Sequence, residues 1–285
     1  MRRNLSAAEP EAVPAERLSP ADFLTLGNAL CGIAALRSIM VQGDFRGTDS
    51  RFFAGAVLLM LIGAVCDLFD GRMARRWRST PYGPHLDNLA DVITFGLVPA
   101  AMTLAWAGFA TQWALPALVA AAAFFLAIVV RLARYVTAVP EPGIFRGMPA
   151  PLCAFTVVSI IVLSPPIPVA LAAIACVAAL AVSRLPFPKP GSRTLAGIMV
   201  AWAVLGAVSV VAWAAGVPAG EEWMRMTAAT ELLAACTIPV IMLRLRRAMR
   251  VAHAVPRTRR RTLRRPRRVS VRRRTAAERV KTSRH

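Results

Sequence analysis

The strongest constraint on this chain is the recurrence of apolar runs of about 16–24 residues. A helix of that length crosses, or nearly crosses, a hydrocarbon core of ~30 Å. The runs lie near residues 22–40, 52–70, 88–108, 113–133, 149–164, 167–183, 194–216 and 228–243. Turn-forming residues separate them: Gly43–Gly47, Pro81–Pro84, Pro140–Gly143, Pro165–Pro166, Pro186–Gly191 and Val217–Gly220. The pattern predicts an all-α, polytopic membrane bundle of about eight transmembrane helices. A hydrophobic content of 56% excludes a chain disordered throughout. Five cysteines, an odd and sparse number, exclude a disulfide-stapled secreted domain. Each of them falls within an apolar run, so Cys31, Cys66, Cys153, Cys176 and Cys236 read as small buried hydrophobes.

The formal net charge of +20 looks foreign to so apolar a chain, but it is not spread evenly. From Arg244 to His285 there are 18 basic residues against one acid, Glu278, while the rest of the chain holds 17 against 14. This divides the chain into a flexible N-terminus (1–20), a transmembrane domain (21–245) and a basic, disordered tail (246–285). Such a tail either stays solvated or lies on anionic headgroups. It lacks the interleaved aromatics of a nucleic-acid stacking platform, so no dedicated nucleic-acid partner is expected. With eight crossings both termini share one side, and 31 of the 35 basic residues fall there. By the positive-inside rule that side is the cytoplasm, which predicts a multi-pass protein of the cell (inner) membrane with both ends inside. Residues 1–20 lack the apolar core of a cleavable signal.

The chemistry is concentrated between Asp67 and Asp91. Asp67 and Asp70 stand three apart at the end of the second run, and Gly71 and Ala74 continue their helical face. Asp87 and Asp91 stand four apart at the start of the third. A turn through Pro81, Gly83 and Pro84 lets the two helices lie side by side, so the four carboxylates converge near the cytoplasmic interface. Such anions repel one another unless cations join them, and hard divalent ions with oxygen ligands, two of them here, serve best. Gly71 and Ala74 leave room for a bulky phosphorylated group, and Arg75 offers a fork of donors to phosphate. The bland alternative is that Asp67 and Asp70 end one helix while Asp87 caps the next. It leaves Asp91, a full turn inside an apolar run, unexplained.

The arrangement Asp67-x2-Asp70-Gly71-x2-Ala74-Arg75-x7-Gly83-x3-Asp87-x3-Asp91 resembles the signature of the CDP-alcohol phosphotransferase family. The gap of seven residues before Gly83 is one shorter than the commoner spacing. The resemblance implies six core helices, a CDP-linked lipid donor, a site open to the cytoplasm and a homodimer. It implies that Asp67, Asp70, Asp87 and Asp91 bind Mg²⁺ or Mn²⁺, and that Asp91 is the catalytic base. Gly71, Ala74, Arg75 and Gly83 would then hold the CDP-lipid.

Further stretches are similar to the phosphatidylserine synthase branch of that family: Leu86–Ala100, Arg131–Tyr135, Phe145–Pro151 and Thr25–Gly32. They imply transfer of the phosphatidyl group of CDP-diacylglycerol to the hydroxyl of L-serine, releasing CMP, next to membrane lipid. A serine acceptor needs a partner for its carboxylate, and Arg134, Arg131 and Arg146 are the candidates. Arg131 and Arg134 would alternatively snorkel to the interface. Asn28 either contacts the CDP-lipid or bonds a neighbouring helix. Two alternatives stand beside the serine reading. One is the same transfer to another alcohol, such as glycerol 3-phosphate or an inositol phosphate. The other is a cation-binding transporter, which would spread its acids along the membrane depth.

Overall fold

The computed structural model describes residues 18–41, 50–76, 80–108, 112–137, 144–188 and 193–254. Helices dominate: α1 (Pro20–Val41), α2 (Ala54–Arg76), α3 (Gly83–Asp91), α4 (Val98–Ala107), α5 (Ala114–Thr137), α6 (Ala150–Leu163), α7 (Ile167–Val182), α8 (Arg193–Ala214) and α9 (Gly220–Ala254). A π-helical turn, Val92–Leu97, joins α3 and α4 into one rod. Its last bond runs from the Val98 N–H to the Ile93 carbonyl, five residues back. Pro99, which follows it, has no N–H to give and crowds the preceding turn, so the tighter ladder cannot pass through.

Among the described residues, six helical spans are long and apolar enough to cross a membrane: α1, α2, the α3–α4 rod, α5, α8 and α9. Against the expected eight crossings, the described residues form these six long spans and two shorter apolar helices. α6 and α7 have 14 and 16 residues, a rise of roughly 21 and 24 Å. Prolines set their limits. Pro149 and Pro166 precede the two helices, and Pro151 and Pro168 lie in their first turns, where a missing N–H costs nothing. Ser164 ends α6 in the left-handed region, with its N–H on the Ile160 and Ile161 carbonyls.

α6 forms the centre, buried over almost its whole length. Phe155 on it meets Phe95 of the π turn, with ring centroids 6.4 Å apart, and Trp202 of α8 at 6.2 Å. A short antiparallel pair, Ile144–Arg146 (β1) with Pro186–Pro188 (β2), is absent from the all-helical expectation. The prolines of β2 keep it short. Gly147 follows β1 at φ +82°, and a Cβ there would strike the Ala181 carbonyl.

The cysteines divide. Cys153 is buried and Cys31 and Cys66 are half-buried, but Cys176 and Cys236 are exposed. In an apolar solvent an outward-facing thiol costs little, so lipid-facing positions take cysteine as readily as core ones. α9 continues as helix to Ala254, the run Leu245–Met249 being made of good helix formers. Residues 1–17 and 255–285, the bulk of the expected flexible N-terminus and tail, lie outside the described residues.

Candidate active site

α1 and α2 run antiparallel in close contact, which small residues permit. A Cβ on Gly63 would lie 2.7 Å from Asn28 Oδ1, and one on Gly55 2.9 Å from Ser38 Oγ. α3 lies along α1 in the same direction. The polar residues of α1 fall three apart, at Asp22, Thr25 and Asn28, so all share its buried face.

Each holds a different part of the neighbouring helices. The Thr25 hydroxyl donates to Asp70 Oδ2 at 2.7 Å. Asn28 Nδ2 donates to Asp91 Oδ1 at 3.1 Å, and the Asn28 carbonyl accepts from the Thr94 hydroxyl at 2.9 Å. The Thr80 hydroxyl reaches both oxygens of Asp22 at 3.1 Å.

Carboxylate oxygens of Asp67, Asp87 and Asp91 all lie within 4.8 Å of one another. α2 and α3 both pack against α1 rather than lying flush on each other as expected, and this still brings three of the four acids together. Asp70 stands one helical turn beyond Asp67, tied to Thr25 and still within electrostatic reach of Asp87. The capping alternative fails on geometry. α2 continues to Arg76, past both its acids, and α3 begins at Gly83 after Tyr82, a full turn before Asp87.

Three buried side-chain atoms among the described residues have no hydrogen-bond partner: Asn28 Oδ1, Asp87 Oδ1 and Arg131 Nε. All three belong to this site, since Arg131 of α5 lies within electrostatic reach of Asp67 and Asp91. Buried polar atoms are rarely left unpaired. An open carboxylate oxygen beside two more carboxylates is the donor set of a hard divalent cation. An open guanidinium edge beside them suits an anionic substrate group.

The other expected site residues are placed as follows. Gly71 is partly buried on α2, next to Asp70. Ala74 and Arg75 lie on the last turns of α2, with side chains outside the described set. Gly83 opens α3, where a Cβ would meet Asp22 Oδ1 at 3.3 Å and Thr80 Oγ1 at 3.4 Å. Arg134 is exposed and donates to the Val182 carbonyl at 3.1 Å, and Arg146 is exposed on β1. Asn28 bonds a neighbouring helix, the second of its two sequence readings, through a carboxylate of the cluster. Asp22, Thr25, Thr80 and Thr94 were not singled out from sequence. The spacing of Asp22, Thr25 and Asn28 inside an apolar run was the available signal.

A sequence profile of the CDP-alcohol phosphatidyltransferase family matches residues 18–184, well over half of the chain. The chain belongs to this family. The match runs from the start of α1 to just past α7 and takes in every carboxylate of the cluster. Proteins similar to this transferase include the CDP-diacylglycerol–serine O-phosphatidyltransferase of Bacillus subtilis (strain 168). It is 26% identical over 167 residues, 58% of this chain and 88% of that protein. The enzyme of the same name from Saccharomyces cerevisiae is 34% identical over 148 residues, 47% of this chain and 50% of that protein. One from Helicobacter pylori (strain J99) is 32% identical over 128 residues, 42% of this chain and 53% of that protein. The transferase thus spans most of the Bacillus relative but about half the length of the other two.

Proposed function

We propose that this transferase moves the phosphatidyl group of CDP-diacylglycerol to the hydroxyl of L-serine, giving phosphatidylserine and CMP. The observation that carries the reading is the convergence of half-buried Asp67 and Asp87 with buried Asp91 beside the open Nε of Arg131. The similarity to enzymes that bear this activity in their names supports it.

Asp67, Asp70, Asp87 and Asp91 are the residues to hold Mg²⁺ or Mn²⁺. When bound, the metal neutralises the diphosphate and stabilises CMP as it leaves. Gly71, Ala74, Arg75 and Gly83 border the space for the CDP-lipid. Arg131 takes the serine carboxylate in a charge-assisted pair, deep enough in the bundle for that pair to be strong. Of the three arginines considered for the acceptor, Arg131 is half-buried and in electrostatic reach of Asp91, whereas Arg134 and Arg146 are exposed.

Asp91 then accepts the proton of the serine hydroxyl. The oxygen attacks the phosphorus that carries the diacylglycerol, and the bond from that phosphorus to the bridging oxygen breaks. CMP departs with the electron pair of that bond. Asn28, bonded to Asp91 Oδ1, orients the carboxylate and leaves its second oxygen for the proton. The enzyme would work as a homodimer in the cell membrane, with both ends and the site on the cytoplasmic side, as the arginine distribution suggests.

The test is an acceptor panel: purified protein, CDP-diacylglycerol, Mg²⁺ or Mn²⁺, and serine, glycerol 3-phosphate, inositol phosphate or other alcohols. CMP release that requires serine supports the assignment. Release that requires a different alcohol, with serine inert, rejects serine and keeps the chemistry.

A further inference from the structure

The Ser19–Asp22–Thr80 cluster lies at the start of α1, with Asp22 within electrostatic reach of Asp70. Its members are buried, with Asp22 2% and Thr80 6% exposed. Ser19 and Asp22 cap α1 reciprocally: the Ser19 N–H donates to Asp22 Oδ2 at 2.7 Å and the Asp22 N–H to Ser19 Oγ at 3.3 Å. Capping uses one carboxylate oxygen and would be served from within the helix. The Thr80 hydroxyl, 58 residues on, bonds both oxygens at 3.1 Å. Thr80 is also the first residue of the turn that starts α3, since its carbonyl accepts the Gly83 N–H at 3.1 Å. Gly83 packs against the pair so closely that a Cβ would press on both side chains.

We infer that Asp22 and Thr80 are positioning residues of the transferase, a latch that fixes α3 along α1 and thereby sets Asp87 and Asp91 against Asp67. α1 and α3 are joined by side chains at two heights. Asp22 meets Thr80 at one, and Asn28 meets Asp91 at the other, six residues further along α1. Two attachments along parallel helices fix both separation and axial slide. With the lower one released, α3 can slip about the upper, and Asp87 lies between them. The carboxylates lie within 4.8 Å of one another, so a shift of part of an ångström changes which of them can share one cation.

The inference rests on the metal-binding reading of the carboxylates, and the experiment separates the two. Full-length protein in detergent is titrated with Mn²⁺ alone, without substrate, and the rise in melting temperature is followed. Supporting partners of metal ligands typically contribute 10–100-fold in affinity. Thr80→Val, which keeps the shape and removes the hydroxyl, should raise the Mn²⁺ midpoint about tenfold, the lower end of that range. Thr80→Ser should return it to the wild-type value. A lower melting temperature in Thr80→Val with an unmoved midpoint would make the cluster a plain helix cap and overturn the latch. Wild-type protein indifferent to Mn²⁺ would overturn the metal reading and the latch with it. If Thr80→Val cannot be recovered folded, Thr80→Ala removes the same hydroxyl without adding apolar bulk or changing any charge. Its midpoint must rise too, and an unchanged value refutes the latch.

Discussion

Two helix pairs in this protein are built by opposite rules. Where α1 meets α2 and α3, buried polar groups cross between helices: Thr25 to Asp70, Asn28 to Asp91, Thr80 to Asp22. Where α8 meets α9, the hydrogen bond given between helices joins two hydroxyls, Ser209 and Thr227, at 3.1 Å. Most of that neighbourhood is apolar, as where Gly206 faces Leu61 of α2, although Glu231 of α9 is buried one turn beyond Thr227. In lipid, apolar side chains gain little from leaving one neighbour for another, so packing holds such helices loosely in register. Carboxylates in charge-assisted bonds have few alternative partners there, and those bonds are directional. The first region fixes register through directional bonds, and the second mainly fills space. The family match takes in the whole of the first region and ends at residue 184, before α8.

The sharpest way to break this contrast is at Asp91. Asp91→Asn keeps the shape and the bond from Asn28 while removing the base. Turnover should fall about 10²–10⁴-fold, the usual span for a general base, with CDP-lipid binding largely kept. A radiolabelled lipid transfer assay and a binding measurement decide it, and an active variant removes Asp91 from the mechanism.

A paired substitution probes the two regions directly. Gly63→Ala forces a methyl to 2.7 Å from Asn28 Oδ1. It should cost about 1–3 kcal/mol of stability, as overpacking does, and depress turnover by displacing Asn28. Gly197→Ala on α8 has nothing within 4 Å of the new carbon and should gain up to about 1 kcal/mol from helix propensity with activity unchanged. Equal effects from the two would erase the distinction. Smallest of all, Ser209→Ala should cost about 0.6 kcal/mol, the average for a hydrogen bond between membrane helices, with normal turnover in the same assay.

The carboxylate motif was legible because charge inside an apolar run is costly and so carries information. Asp67, Asp87 and Asp91 needed only helical spacing and a turn to be brought together. Arg131 and Arg134 show the opposite case. They follow a run, Ala114–Val130, that is apolar on every side because lipid and protein core are both apolar, so no face can be phased from sequence. The structure supplies the phase. Phe124, Ala127 and Ile128 are buried, and Arg131 continues their stripe, while Arg134 points outward to the Val182 carbonyl. The latch was hidden for a related reason. Asp22 and Thr80 are ordinary residues at a helix start and in a turn, and their meaning depends on which helix lies beside which. The β1–β2 pair escaped because three residues flanked by prolines give no alternation to detect.

The brevity of α7 bears on the membrane itself. Its outward side, with Val169, Ala172 and Cys176, is exposed to lipid over a rod of 16 residues, about 24 Å against a hydrocarbon core of ~30 Å. Lipid tails along that flank must shorten their reach or the headgroups must dip to meet the helix. The long helices α8 and α9 impose no such strain. The α7 flank therefore favours a bilayer that thins locally beside it.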